Sequence, residues 1–425
     1  MGFRRFFKIF PFIAVSSILI FVVGFIYFKS NKNNNASNNP SDELNKSQSA
    51  PETPAPKMRE GVNSSEEMRA VWVPFTSLDV SKKQGGEESF KETFNEIVKV
   101  SKEHFMNTLI VHVRSHSDAM YESELFPWSH LLTGEQGKDP GYDPLKYMVK
   151  AAHENGLKIH AWINPLRVQL SETPKSLSGN NPFVKFRKSS DENLNLAAID
   201  FEGGKYYNPA SPEVRKLIIQ GVKEMVKKYG VDGIHLDDYF YPTEGENFDK
   251  SSYEKYCKIA KQTGQPLNLG EFRKANINAI VSGIYSVVKD AGNIEFGISP
   301  RCDIDYDLSV GADVKLWGNT KGYVDYLCPQ IYMNFEHPKF PFDKTANEWR
   351  KLVKGKDVKL YLGLGVYKGG SLLDNGTWNG KNDILSRQVE YGRKINCEGF
   401  MLFSFNSFFE KNAQDEVVNV MKVFN

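Results

Sequence analysis

Residues 211–242 read S-P-E-V-R-K-L-I-I-Q-G-V-K-E-M-V-K-K-Y-G-V-D-G-I-H-L-D-D-Y-F-Y-P and contain one helix followed by one strand. Ser211 before Pro212 is a favourable helix start, because serine caps the first amides and proline suits the first turn. The apolar residues that follow share one helical face: Val214, Leu217, Ile218, Val222, Met225 and Val226. Gly230 lies where such a helix ends, and the run after it predicts a buried strand at Gly233–Asp237.

The same alternation of strand and helix recurs from Met68 onward. The other predicted strands are Arg69–Val73, Thr108–Arg114, Lys158–Asn164, Glu295–Ser299, Val324–Tyr332, Lys359–Val366 and Phe400–Phe405. Eight strand–helix units predict an α/β fold, the (β/α)8 TIM barrel, over residues 67–425. The alternative, an open doubly wound sheet, needs a glycine-rich loop after its first strand, whereas P-F-T-S-L-D-V follows Val73.

The first 66 residues have a different character. Arg4, Arg5 and Lys8 precede a charge-free stretch, Ile9–Phe28, whose 20 residues suffice to cross a bilayer. We therefore predict a cytoplasmic basic stub and a transmembrane signal anchor at residues 1–29. Residues 30–66 are rich in Asn, Ser and Pro and predict a disordered linker. The barrel is then extracellular on a single-pass protein of the cell membrane, with secretion after cleavage of the segment as the alternative.

Composition excludes several function classes. A net charge of +2 gives no electrostatic footprint for nucleic acid. The four cysteines show no C-x-x-C spacing, so neither a zinc site nor a redox motif is predicted. No cofactor is predicted, and no oligomeric state is indicated. Aromatic residues reach 13%, which suits either a carbohydrate-binding cleft or a large aromatic core.

Strand alternation predicts which side chains enter the barrel, and functional groups of TIM barrels gather at the carboxyl ends of the strands. Three strands are expected to direct polar or aromatic groups inward: His112 with Arg114, His160 with Trp162 and Asn164, and Cys328 with Gln330 and Tyr332. After Gly230, His235 and Asp237 point inward and Asp238 lies at the rim. A deep carboxylate is costly unless it is paired, and Arg114 is the expected inward cation.

Three interpretations of this site are open. Asp237 and Arg114 could form an ion pair that only stabilises the barrel. A metal could be held by ligands whose spacing matches no tight motif: His112, His116, Asp118, His235 and Asp237. Glycoside hydrolysis needs two carboxyl groups beside the sugar bond and rings that stack on sugars. The candidate acids are Asp237, Asp238, Asp118, Asp303, Asp305 and Asp307, and the candidate platforms are Trp72, Trp128, Trp162, Tyr239, Tyr241, Tyr332 and Phe405.

Several motifs in a fixed order favour the third interpretation. They are R-A-V-W-V at Arg69, V-R-S-H-S-D-A-M-Y-E-S-E-L-F-P-W-S at Val113, H-A-W-I-N-P-L-R at His160, Y-N-P-A-S-P-E-V-R at Tyr207, D-G-I-H-L-D-D-Y-F-Y-P at Asp232, G-I-S-P at Gly297 and P-Q-I-Y at Pro329. With them, the chain from about Met68 to its end resembles the glycosyl hydrolase-like 10 family of exported barrel proteins. Members include enzymes that cleave peptidoglycan strands stripped of their stem peptides. The resemblance implies a polysaccharide substrate of β-linked N-acetylhexosamines.

The family pattern, carried onto this chain, implies a set of site residues: Arg114, Asp118, Tyr121, Asn164, Asn208, His235, Asp237, Asp238, Tyr239, Gln330 and Tyr332. Two departures are visible. Ser115-His116-Ser117 stands where the family more often has a Pro-x-Gly-like turn, and Met333 stands where a tryptophan is frequent. The quoted stretch also resembles D-G-I-D-x-D-W-E of family-18 chitinases, but the chitinase glutamate has no counterpart here.

We therefore predict a glycoside hydrolase with Asp237 as nucleophile, or as the carboxylate that orients a substrate acetamido group. Asp238 is the first candidate for general acid/base, with Asp118 and Asp303 behind it. Arg114 and His235 are expected to hold Asp237. The side chains expected to contact sugars are Trp162, Tyr239 and Tyr332. The alternatives are a non-catalytic barrel that binds cell-wall glycan and a metal-dependent polysaccharide deacetylase.

Overall fold

The computed structural model describes residues 67–262, 264–354 and 356–425. Its strands are β1 (Met68–Val73), β2 (Thr108–Arg114), β3 (Lys158–Ile163), β4 (Arg167–Leu170), β5 (Ala198–Phe201), β6 (Gly204–Tyr207), β7 (Gly233–Leu236), β8 (Glu295–Ile298), β9 (Tyr326–Leu327), β10 (Lys359–Gly365) and β11 (Gly399–Phe403). The longer helices are α1 (Glu87–Glu103), α3 (Pro144–Glu154), α6 (Pro212–Lys228), α7 (Lys250–Ala260), α8 (Leu269–Ala291), α11 (Phe342–Leu352), α13 (Ile384–Lys394) and α14 (Gln414–Phe424). The shorter ones are α2 (His130–Thr133), α4 (Pro182–Arg187), α5 (Glu192–Asn195), α9 (Ile304–Ser309), α10 (Val314–Trp317) and α12 (Leu373–Gly376).

Eight of these strands close into a parallel barrel in the order β1-β11-β10-β9-β8-β7-β3-β2. They are the eight strands predicted from the sequence, and the TIM-barrel prediction is confirmed. The predicted helix start at Ser211 is also confirmed, because its side chain accepts a hydrogen bond from the amide of Val214. Asp143 caps α3 in the same way by accepting from the amide of Lys146.

The sixth barrel strand is much shorter than predicted. Only Tyr326–Leu327 form regular ladder pairs, because Pro329 has no amide hydrogen to continue the ladder. Beyond it, Gln330 pairs with Arg301 on one side and Gly363 on the other through single bridges. The chain therefore still follows the barrel wall up to its carboxyl end.

An insertion between β3 and α6 forms a separate small sheet. Strands β4, β6 and β5 pair antiparallel in that order, and the short helices α4 and α5 lie within the same insertion. This sheet begins with Arg167, which follows the carboxyl end of β3 after only three residues. The insertion therefore starts at the edge of the barrel where functional groups gather.

Rings fill the barrel interior where branched aliphatic side chains are usual. The buried cluster inside the barrel consists of Met68, Ala70, Trp72, Ile110, Trp162, Tyr326, Cys328, Tyr361 and Met401. Two glycines leave room for it. A Cβ at Gly233 would lie 2.5 Å from the ring of His160, and a Cβ at Gly297 would lie 2.1 Å from the ring of Tyr326. This confirms that polar and aromatic groups point into the barrel.

The predicted signal anchor and linker lie outside the described residues. Among the residues that are described, no helix is both long enough and apolar enough to cross a membrane.

Candidate active site

A hydrogen-bonded ring cluster forms the floor of the site. The indole of Trp72 donates to Nε2 of His235 over 3.1 Å, and Nδ1 of His235 lies 3.0 Å from the hydroxyl of Tyr326. Burial lowers the pKa of His235 well below its usual value, so the imidazole is neutral. The prediction that His235 holds Asp237 is wrong, because both ring nitrogens bond to the floor instead.

Asp237 lies directly above this floor, at the end of β7. Its Oδ2 accepts hydrogen bonds from the indole of Trp162, at 3.0 Å, and from the amide of Asn164. Its Oδ1 accepts a longer bond of 3.2 Å from the backbone amide of Tyr239. Burial raises the pKa of Asp237 to about 7, and the negative charge of Asp238 adds to the rise. Asp237 therefore exchanges a proton near neutral pH.

Asp238 lies at the rim, as the alternation of the strand predicts. Its Oδ2 accepts a hydrogen bond of 2.9 Å from Nε of Arg301, and its Oδ1 accepts one of 3.2 Å from the amide of Gln330. The neighbouring carboxyls thus have opposite surroundings: Asp237 is buried among neutral donors, while Asp238 is paired with a cation.

The cation near Asp237 is Arg167. Its Nη2 donates to Oδ1 of Asn164, whose amide in turn bonds to Asp237, and its charge lowers the pKa of Asp237 against the effect of burial. The sequence predicts Arg114 for this role, and that prediction is wrong. The pairing of β2 with β3 shifts between His112 and Arg114, so the bulge turns Arg114 away from the lumen.

Arg114 lies in the layer between the barrel and α6. Its guanidinium stacks on Phe126 at 4.2 Å, and a Cβ at Gly221 of α6 would lie 2.5 Å from Nη1. Tyr121, the other site residue predicted from the β2 region, is fully buried beside Tyr229. Neither side chain can touch a substrate in this position, so the structure contradicts their predicted binding role.

Asp118 forms a separate buried network. Its Oδ2 lies 2.8 Å from Nδ1 of His130 and 3.2 Å from the amide of Gln136. Burial alone would raise the pKa of Asp118, but the hydrogen bonds from His130 and Gln136 and the charges of His130 and His116 together outweigh it, so the pKa is lowered. Asp118 is completely enclosed, so it positions His130 rather than facing the cleft. The carboxylate of Asp118 is not exposed, so it cannot act on a substrate in this position as predicted.

Asn208 is also buried away from the acids. Its amide donates to the carbonyl of Leu196 and to the hydroxyl of Ser252, and its side-chain oxygen accepts from the amide of Ala210. These bonds tie the insertion to α7. Asp303, a reserve candidate for general acid, caps α9 by accepting from the amide of Tyr306. Both residues are thus occupied by structural bonds.

Aromatic side chains surround the two acids. Trp162 stacks on His112 at 3.8 Å, and Tyr332 stacks on Phe403 at 5.5 Å. Tyr239 follows the acids and is 39% exposed, with the guanidinium of Arg167 4.6 Å from its ring centre. The predicted sugar-contacting residues therefore meet at one mouth of the barrel.

A metal site receives no support. In the ranges that the structure describes, no three His, Cys, Asp or Glu side chains are placed to hold a metal ion together. His160 points into the barrel as predicted. Its Nδ1 lies 3.1 Å from the hydroxyl of Tyr326, and burial lowers its pKa to about 4.

Sequence reasoning misses two cations of the site, Arg167 and Arg301. Arg167 is the last residue of the quoted motif H-A-W-I-N-P-L-R, to which no role was given, and Arg301 directly follows G-I-S-P. The signal that could have identified both residues is a positive charge just past the carboxyl end of a barrel strand.

Residues 67–378 match the model of the family described as glycosyl hydrolase-like 10. The chain belongs to this family. Membership confirms the resemblance seen in the motifs and the prediction of an enzyme of the glycoside hydrolase class.

Two relatives carry the same class of name. Glycosyl hydrolase YngK of Bacillus subtilis is 35% identical over 366 residues, which are 80% of this chain and 68% of the relative. Glycosyl hydrolase DigH of Escherichia coli is 30% identical over 334 residues, 72% of this chain and 75% of the relative. Among solved structures, the PgaB (BpsB) glycoside hydrolase domain of Bordetella bronchiseptica has a TM-score of 0.54 at 12% identity. It covers 84% of this chain and 99% of its own, which shows a shared fold.

Proposed function

We propose that the protein hydrolyses glycosidic bonds in strands of N-acetylhexosamines, with denuded peptidoglycan as the substrate. The observation that carries this proposal is the pair of adjacent acids at the carboxyl end of β7. Asp237 is buried with a pKa of about 7, while Asp238 bonds to Arg301 at 2.9 Å. Glycosidases need two carboxyl groups in different protonation states beside the bond that breaks.

The different surroundings of the two acids support a different role for each. Asp237 carries the proton, and Oδ1 is the atom that holds it, because Oδ2 accepts from both Trp162 and Asn164 while Oδ1 accepts only the longer bond from the amide of Tyr239. Asp238, bonded to Arg301, is the acid that stabilises the positive charge that develops on the sugar. The sequence favours the opposite order, with Asp238 as proton donor, and the experiment below separates the two assignments.

The walls of the cleft support a glycan as substrate. Trp162, Tyr239 and Tyr332 present rings around the acids, and aromatic rings combine a large apolar surface with polar edges. The N-acetylhexosamine class itself rests on the family resemblance of the motifs.

The decisive experiment measures release of reducing ends from denuded peptidoglycan strands by the wild type, Asp237→Asn and Asp238→Asn. Asp200→Asn, a change at an exposed residue of the insertion, serves as the matched control. We expect a loss of at least about 100-fold in both acid variants and none in the control. Unchanged rates in both would refute the assignment.

A second substrate identifies the proton donor. An aryl N-acetylhexosaminide with a good leaving group needs no protonation, so the variant that lacks the acid recovers most of its activity. We expect recovery in Asp237→Asn and not in Asp238→Asn. Glycan retention without any product would instead indicate a binding protein, and acetate release that a chelator abolishes would indicate a deacetylase.

We also propose that residues 9–28 anchor the barrel on the outer side of the cell membrane. The support is the charge-free stretch behind three basic residues. Fractionation of cells, followed by protease treatment of the intact surface, tests this placement.

A further inference from the structure

Arg167 is a buried guanidinium with donors to spare. It is 6% exposed, and its contacts are Nε to the carbonyl of Ser115 and Nη2 to Oδ1 of Asn164. A guanidinium has five N–H groups, so three remain. Within the described chain, no carboxylate lies at ion-pair distance from Arg167, although Asp237 is near enough for its charge to be felt.

Two other buried arginines, Arg273 and Arg114, differ from Arg167 in how their N–H donors are used. Arg273 is 1% exposed and is saturated, with three bonds to Asp249 and three more to backbone carbonyls. Arg114 has unbonded terminal nitrogens that are sealed in the protein interior. Nη1 of Arg167 makes no bond within the described chain but, unlike the terminal nitrogens of Arg114, is not completely enclosed by protein.

The position of Arg167 connects it to the reacting centre. Through Asn164, two hydrogen bonds separate its guanidinium from Asp237. The ring of Tyr239 covers it at 4.6 Å, which removes water from one face and strengthens any charge-assisted bond that it makes. A group bound by Arg167 therefore sits on a sugar next to the bond that breaks.

Charge indicates which group that is. An acidic sugar entering this cleft meets the carboxylate of Asp238 and needs a cation to offset the repulsion. Arg301 is ion-paired with Asp238, so its charge is already offset. Among the described residues Arg167 has no carboxylate at ion-pair distance, so its charge is the one free to offset an acidic group of the substrate. Guanidinium groups bind carboxylates through paired N–H donors.

We propose that Arg167 binds the carboxylate of an acidic sugar beside the cleaved bond, and so selects carboxylated N-acetylhexosamine strands over neutral ones. Within the proposed function, on which this rests, the acidic group is the lactyl carboxylate of N-acetylmuramic acid. Arg167 is thus a specificity residue, while Asp237 and Asp238 perform the chemistry.

The test compares substrates that differ only in charge. The full-length protein is given a tetrasaccharide of alternating N-acetylglucosamine and N-acetylmuramic acid, and the same tetrasaccharide with its carboxylates as methyl esters. The readout is the ratio of kcat/KM for acid over ester, because general damage to the site lowers both values and leaves the ratio unchanged. We expect the wild type to prefer the acid by about tenfold or more, as for a hydrogen bond to a charged group.

Variants then assign the preference to one side chain. Arg167→Met should bring the ratio to about one, and Arg167→Lys, which keeps the charge but loses the fork, should give an intermediate value. Arg187→Met is the matched control, since Arg187 belongs to the same insertion but pairs with Asp200 at the surface; its ratio should equal that of the wild type.

The results that would overturn the role of Arg167 differ from those that would overturn the proposed function. A wild-type ratio of one, or a ratio that Arg167→Met leaves unchanged, overturns the role of Arg167 while hydrolysis stands. If neither substrate is cleaved, the proposed function is wrong, and the Kd values of the wild type and Arg167→Met for the same two sugars decide whether Arg167 still selects the carboxylate.

Discussion

The indole of Trp72 on β1 donates to Nε2 of His235 on β7, over 3.1 Å through the interior of the barrel. Indole is only a donor, so Nε2 is unprotonated and the proton of His235 lies on Nδ1. That proton faces the hydroxyl of Tyr326 at 3.0 Å, and the hydroxyl in turn faces Nδ1 of His160 at 3.1 Å. Four side chains thus form one ordered chain of neutral donors and acceptors beneath the acids.

Removing the central hydroxyl should cost stability. Tyr326→Phe leaves a donor on His235 and an acceptor on His160 buried without partners, and we expect a loss of about 2–4 kcal/mol in the free energy of unfolding. Urea denaturation measures it. Tyr147→Phe is the control, because that hydroxyl bonds to Asn95 at the surface and should change stability by under about 1 kcal/mol. Equal losses in the two variants would contradict the ordered chain.

The glycine beneath this chain should tolerate no side chain. A Cβ at Gly297 would lie 2.1 Å from the ring of Tyr326, so Gly297→Ala should destabilise the barrel by about 3 kcal/mol or more. Thermal unfolding of Gly297→Ala and Gly179→Ala gives the comparison, since a Cβ at Gly179 meets nothing within 4 Å. A Tm of Gly297→Ala equal to that of the control would show that the interior repacks freely.

The sequence predicts the strands and the depth of the acids, because both follow from alternation along single segments. Asp237 and Asp238 lie where that alternation places them. Arg114 does not, because a bulge in β2 reverses its direction and leaves no trace in the local pattern. Arg167 could not be assigned either, since its contact with Asn164 depends on how the insertion leaves β3.

The finding that Arg167, and not Arg114, is the cation near Asp237 has a direct test. Arg114→Met should keep kcat/KM on denuded strands within about twofold of the wild type. It should also keep or raise stability, because an apolar chain replaces a buried charge whose terminal nitrogens are unbonded. Arg167→Met should lower kcat/KM by about tenfold or more. Activity assays and thermal unfolding of both variants measure this, and a large loss of activity in Arg114→Met would restore its predicted role.

Asp237 should make the protein less stable as the pH rises. Its pKa is raised from 3.8 to about 7, so the folded state binds more protons than the unfolded chain between these values. The group therefore costs nothing below about pH 4, and its cost grows up to about pH 7 and is constant above it. Asp237→Asn should exceed the wild type in stability by about 1–4 kcal/mol at pH 8.

Urea denaturation at pH 4.5 and pH 8 measures this difference. The gain of Asp237→Asn should shrink at the lower pH. Asp200→Asn, at an exposed carboxyl, should show no such growth with pH. A gain that is the same at both values would mean that Asp237 is not the carboxyl with the raised pKa.

The same pKa should appear in the kinetics, because a proton donor is active only while it is protonated. If Asp237 is the donor, kcat/KM falls as the pH rises through about 7. Arg167 lowers the pKa of Asp237 by its positive charge, so Arg167→Met should move this alkaline limb to higher pH. Neutral N-acetylglucosamine tetrasaccharide is the proper substrate, since it removes any effect of Arg167 on a substrate carboxylate. Arg187→Met, the control, should leave the alkaline limb of the pH profile unchanged. If Arg167→Met does not move this limb either, the proton donor is an acid other than Asp237.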